Sequence, residues 1–115
     1  MATISSFRDL LVWQKSMDLA ERCYRLSRRF LRQDHQVLGY QRRKTSVSIP
    51  SNIAEGSKRT TDKDFKQFLS IASGSAAELE TQLLLAEDIF HISNASLYGL
   101  LKEVQKMLEA FIKKL

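Results

Sequence analysis

The sequence predicts an all-α fold, an up-and-down four-helix bundle, and three observations carry that reading. Glycine and proline are scarce, Gly39, Gly56, Gly74, Gly99 and Pro50 being the whole set, so strand-and-turn architectures have almost no punctuation. Apolar residues recur at steps of three and four along most of the chain. The 115 residues, 43% apolar and 27% charged, suffice for one core without a disulfide or metal. Residues 1–115 therefore read as a single domain.

The first helix is expected from Leu10, where Leu10, Trp13, Met17, Ala20, Tyr24, Ser27 and Leu31 form an amphipathic seam. The second is harder to place. From Gln36 to Glu55 the apolar residues Val37, Tyr40, Val47, Ile49 and Ile53 are diluted by polar ones, and Pro50 can neither donate to residue 46 nor favour helical geometry at Ile49. The pattern predicts a helix kinked or broken near Ser48, resuming through Glu55 and stopped by Gly56 as a C-terminal cap.

A long third helix should start after Thr61, which with Asp64 resembles a capping box with the shorter acid. Its apolar side comprises Phe65, Phe68, Leu69, Ala72, Ala76, Leu79, Leu83, Ala86 and Phe90, widened by Ile71, Leu84, Leu85 and Ile89. The small-residue run around Gly74 predicts tight packing there, since a mid-helix glycine costs about 1 kcal/mol relative to alanine. After Ser93 and Asn94, a good N-cap pair, Leu97, Leu101, Val104, Leu108, Phe111 and Leu115 mark the last helix.

Gln41, Thr45, Ser48 and Asn52 fall on one face of the second helix. If that face is internal its groups must be hydrogen-bonded, because an unpaired buried polar group costs about 1–3 kcal/mol. Glu78 and Thr81 of the long helix are the expected partners, which makes Gln41, Ser48, Asn52, Glu78 and Thr81 a structural polar network.

The run QRRKTSVSIPSNIAEGSKRTTDKDFKQFLSIASGSAAELETQLLLAE, Gln41 to Glu87, resembles the signature of the bacterial 23S rRNA-intervening-sequence protein family, also called the S23 or four-helix-bundle protein family. The opening FRDLLVWQKSMDL resembles its first helix, so the likeness covers nearly the whole chain. The resemblance implies an up-and-down four-helix bundle assembled into a ring-like homopentamer, with no established enzymatic activity. It also implies a distant relationship to the accessory protein of diversity-generating retroelements, a basic pentameric bundle that binds nucleic acid. Two positions depart from the family pattern: Leu31 follows Phe30 where proline is common, and Lys44–Thr45 stand where Arg-Ala is usual.

Charge is divided between the halves. Residues 1–60 hold twelve bases against five acids, a net +7, whereas residues 61–115 hold six bases against eight acids, a net −2. Lys15, Arg22, Arg25, Arg29 and Arg32 share one face of the first helix with Asp18 as the lone acid. Arginine favours forked contacts to phosphate, so Lys15, Arg22, Arg25, Arg28, Arg29, Arg32, Arg42, Arg43, Lys44, Lys58 and Arg59 are the candidate nucleic-acid-binding residues. With no aromatic stacking platform of the RNA-module type, binding of RNA or DNA should be led by the backbone and weakly specific. The competing reading is a solvated face whose arginines pair with acids of the same or a neighbouring subunit.

Catalysis has little in its favour. Arg29 and His35 resemble the Arg and His pair of HEPN ribonucleases only faintly, and Asp34 and His35 should sit in the turn after the first helix. His91 reads as a helix-terminal cap, and the Glu-x-x-His pairs of di-iron bundles are missing. There is no glycine-rich phosphate loop or nucleophile elbow. Neither catalytic residues nor a cofactor or metal is expected. Cys23 is the only cysteine, the first residues lack a basic-then-apolar leader pattern, and no stretch approaches the roughly 18 apolar residues of a membrane span. The expectation is a cytoplasmic protein that does not enter membranes. It should form a homo-oligomer, with Leu84, Leu85 and Ile89 as subunit contacts, and bind nucleic acid or, alternatively, a protein partner.

Overall fold

A computed structural model describes residues 6–27 and 39–115. A short 3-10 helix, Phe7–Asp9, is capped by Ser6, whose side chain accepts from the Arg8 amide. Four α-helices follow: α1 (Leu11–Ser27), α2 (Tyr40–Ser57), α3 (Asp62–Phe90) and α4 (Ala95–Lys114). They form an elongated bundle of 46 × 19 × 19 Å, with no strand among the described residues. Helix α2 packs most extensively on α3, α1 lies against α2 and α4, and α3 against α2 and α4, so α1 and α3 sit at opposite corners.

The ends of the two long helices follow from their sequences. Thr61 stands in extended geometry and its hydroxyl accepts from the Asp64 amide at 3.2 Å, the cap that the sequence predicts. His91 ends α3 in the left-handed region at φ 56°. Asn94 occupies the N-cap of α4, but its side-chain amide donates to the Ile92 carbonyl instead of capping the helix.

The core is drawn from all four helices. Leu69, Ala72, Ala76, Leu79 and Leu83 of α3 and Leu97, Leu101, Val104 and Leu108 of α4 are buried as their periodicity predicts, while Ile71, Leu84, Leu85 and Ile89 remain exposed. Helix α1 differs from expectation. Its buried stripe is Val12, Ser16, Leu19 and Cys23, one position out of phase with the expected seam. Of that seam Ala20 is buried, Trp13 and Met17 are half-buried, and Tyr24 is exposed. The helix thus carries two adjacent apolar stripes, the smaller-residue one turned into the bundle.

Of the kink or break that the sequence predicts near Ser48 in α2, the break does not occur: helical structure continues through Pro50. Ile49, Pro50 and Ile53 are all buried, and this packing holds the helix where local propensity alone would end it. Gly56 is not a cap: it lies within the last turn, at negative φ, and is buried. A Cβ there would sit 2.6 Å from the Phe68 Cβ and 3.0 Å from the Phe65 ring, so glycine is what lets α2 close on α3. Gly74 is the converse. Nothing outside its own turn lies within 4 Å of its virtual Cβ, so the tight packing of that run is made by Ser75 and Ala76 and not by Gly74 itself.

The polar face of α2 is buried at Thr45 and half-buried at Ser48 and Asn52, but its partners differ from the expected ones. The Ser48 hydroxyl is 2.6 Å from that of Ser75, and the Gln82 side-chain amide donates to the Thr45 hydroxyl at 3.1 Å. Asn52 donates to the Ser48 carbonyl of its own helix. Gln41, Glu78 and Thr81 are exposed, Thr81 bonding the Ala77 carbonyl of its own turn. Residues 75 and 82, seven apart, face α2, whereas 78 and 81 lie on the outer side.

A second polar cluster ties α3 to α4. The Glu80 carboxylate accepts from Tyr98 Oη (2.8 Å), Lys102 Nζ (2.8 Å) and Gln105 Nε2 (3.0 Å). The Lys102 bond leads these three in holding its pKa down at about 2.

Two predictions follow from this packing. Gly56→Ala should destabilise the fold by about 1–3 kcal/mol, and Gly74→Ala should stabilise the subunit by about 0.5–1 kcal/mol, both read from urea unfolding. The Glu80 contribution is complete above its unfolded pKa near 4.5 and is lost as pH falls toward 2. Glu80→Gln should therefore lower stability at neutral pH and flatten its decline between pH 4.5 and 2, measured by circular dichroism.

Candidate nucleic-acid interface and apolar groove

Lys15, Arg22 and Arg25 of α1 lie on one arc of the helix, as their spacing requires. Two of them are already in ion pairs: Lys15 Nζ is 3.3 Å from Glu103 of α4, and Arg22 Nε donates to Asp18 one turn back at 3.2 Å. Arg59 pairs with Glu55 at 2.9 Å, and its guanidinium also lies 4.6 Å from the Phe68 ring centroid. All these side chains are at least one-third exposed. Such pairs are worth about 0–1 kcal/mol and can be exchanged for phosphate at little cost.

Arg25, Lys44 and Lys58 are exposed, and Arg43 is half-buried. Arg42 is a correction to the expected set. It is fully buried, at 0% exposure, so it has no surface to offer a polyanion. Arg28, Arg29 and Arg32 lie outside the described residues, as do Asp34 and His35 and with them the faint ribonuclease pair. His91 is the left-handed C-cap of α3, which accords with its reading as a helix terminus.

Arg42 is buried where α1 meets α2, close enough to Cys23 for its charge to act on the thiol. Burial pushes the Cys23 thiol up to about 11, outweighing the Ser46 hydroxyl and the Arg42 charge, both of which favour the thiolate. The thiol stays protonated and is fully covered, so it is a packing residue. Among the described residues no cluster of three His, Cys, Asp or Glu side chains is placed to hold a metal ion.

The sequence reading missed an apolar concavity. A groove of about 720 Å³ runs between α1 and α2, and its apolar lining includes Phe7, Trp13, Met17, Tyr24, Val47 and Pro50. Glu21 and Arg25 stand on its α1 side. Trp13 packs edge-to-face on Phe7 with centroids 5.2 Å apart. The signal was present in the sequence, since this lining includes most of the seam assigned there to the core.

Residues 8–110 match the family described as 23S rRNA-intervening sequence protein. The chain belongs to that family. A crystal structure of a protein of unknown function from the S23 ribosomal protein family of Bacteroides thetaiotaomicron superposes with a TM-score of 0.83 at 29% identity. The match covers 90% of this chain and 99% of that one. None of the curated proteins matches the chain. Within the 23S rRNA-intervening sequence family, then, this chain has the four-helix fold that its resemblance implies, and among the described residues no helix is long and apolar enough to cross a membrane.

The buried thiol yields a prediction of its own. Cys23 should resist a thiol reagent at pH 8 in the native protein and react at once when the chain is unfolded in urea. Because its pKa is raised on folding, its contribution is complete below about pH 9 and is lost as pH rises toward 11. Cys23→Ala should remove a pH-dependent component on the order of 2–3 kcal/mol across that window, read from urea melts of both proteins.

Proposed function

We propose that the protein is a non-enzymatic, cytoplasmic binding protein that self-associates, as the homopentamer its family resemblance implies, and holds RNA or DNA backbone along its basic side. The observation that carries this reading is the segregation of charge. Lys15, Arg22 and Arg25 share an α1 arc, with Lys44, Lys58 and Arg59 exposed on and just after α2, while the rest of the chain is net acidic. Exposed cations on rigid helices supply the counterion-release term that dominates backbone binding, and repetition in an oligomer multiplies it. Their partners Asp18, Glu55 and Glu103 lower the local charge without removing the cations from solvent. No cofactor is part of this reading.

A second reading, a structural ring that presents a surface to a protein partner, is favoured by one feature. Large apolar side chains stay exposed, among them Ile89 at 58% and Leu11 at 56%.

Fluorescence anisotropy with labelled structured RNA and duplex DNA across a salt series separates the two. Wild-type affinity should fall steeply with salt. A variant with Arg22, Arg25, Arg29 and Arg32 changed to Gln should stay folded, bind at least about tenfold more weakly and show a shallower salt slope. Absence of binding at low salt would overturn the nucleic-acid reading and leave the protein-partner one.

A further inference from the structure

Two apolar surfaces are left uncovered by the packing of the described helices, and they lie on different sides of the bundle. One is concave, the groove between α1 and α2 lined by Trp13, Met17, Val47 and Pro50. The other is convex, the outward row of α3, where Ile71, Leu85 and Ile89 recur at helical spacing with Leu84 beside them, between 41% and 58% exposed. Helix α3 sits at the corner opposite α1, so one molecule cannot close its own row into its own groove.

We propose that the α1–α2 groove receives the outward face of α3 from a second copy of the chain, head to tail. This rests on the self-association proposed above and specifies which surfaces meet. Shape is the first argument: an amphipathic helix seats its apolar row in a hydrophobic groove through anchors at i, i+4 and i+7 steps, Leu85 and Ile89 are four apart, and Ile71 stands two steps of seven before Leu85 with Glu78 at the step between. The side chains flanking the row, Ser70, Gly74, Ala77 and Thr81, are small, so a groove wall can approach closely.

Charge is the second argument. From Gln67 to Phe90, α3 has the acids Glu78, Glu80, Glu87 and Asp88 and no base. Glu80 is engaged with α4, which leaves Glu78, Glu87 and Asp88 exposed around the row. Beside the groove Arg25 is exposed on the α1 side, and Lys44 lies one turn before Val47 on α2. Glu21 is the single acid in the lining, and Arg25 follows it by one turn. An acidic convex row therefore meets a groove whose own acid and base, Glu21 and Arg25, balance and whose edge carries Lys44, so the charges favour the α3 face over a second groove. Since the two surfaces differ and each copy carries one of each, the contact is heterologous.

The test uses two exposed positions, so that each variant still folds, which circular dichroism confirms: Val47→Asp in the groove and Leu85→Asp on the row. Light scattering should give wild type a mass well above the 13.2 kDa chain and each variant alone the chain mass. An equimolar mixture should form a species of twice the chain mass, because V47D keeps an intact row and L85D an intact groove. That pair must stop at two, its remaining surfaces both being defective. If either variant alone keeps the wild-type mass, or the mixture stays at the chain mass, the proposal falls while self-association stands. If wild type itself has the chain mass, both fall and the groove belongs to a foreign ligand.

Discussion

The close approach of α2 to α3 is the constraint on which the rest of the bundle depends. Gly56 removes the Cβ that would collide with Phe68, and the helices then come near enough for Ser48 to reach Ser75 and Thr45 to reach Gln82. A polar seam at that depth is stable only when paired, so the contact fixes the register of one helix on the other as well as their separation. Register carries outward. Ile71, Leu85 and Ile89, which stand three to seven residues from Ser75 or Gln82 on the same side of α3, stay exposed beside that contact. The same contact buries Ile49, Pro50 and Ile53 and carries α2 through its proline.

Much of this was legible in the sequence, and the exceptions share a cause. Periodicity placed α3 and α4 and most of their buried residues, and Thr61 marked the start of α3, because long amphipathic helices and caps are local signals. Glycine was misread twice. A glycine near a helix end and one in a small-residue run suggest a cap and a close approach, but the structure exchanges the roles: Gly56 makes the close approach and Gly74 faces open space. Only the tertiary neighbour decides, and residues 65 and 68 are too far along the chain to be paired with 56 by local pattern.

The polar network was found with the wrong partners for a similar reason. A face of α2 can be read from its own spacing, but which face of α3 meets it depends on a rotation that local pattern leaves open to within one residue. The site residues divide along the same line. Exposure of Arg25, Lys44 and Lys58 follows from amphipathicity, whereas burial of Arg42 beside Cys23 and Ser46 depends on how α1 crosses α2. The apolar groove escaped notice because its lining was mistaken for the core: the bulkier stripe of Trp13, Met17 and Tyr24 looked more hydrophobic than Val12, Ser16, Leu19 and Cys23.

That doubled α1 has a geometric consequence for charge. Successive residues advance by about 100° around a helix, and two neighbouring apolar stripes occupy more than half of the circumference. Every hydrophilic residue of α1 except Ser16 and the terminal Ser27 is thereby confined to the remaining arc, where Gln14, Lys15, Asp18, Glu21, Arg22 and Arg25 succeed one another. Cations crowded this way repel along the helix axis unless an acid separates them, and Asp18 and Glu21 fall between Lys15 and the two arginines. The narrowness of the basic strip is thus a by-product of how much of α1 is apolar. Any enlargement of its apolar surface would concentrate the positive potential further without the addition of a single charge.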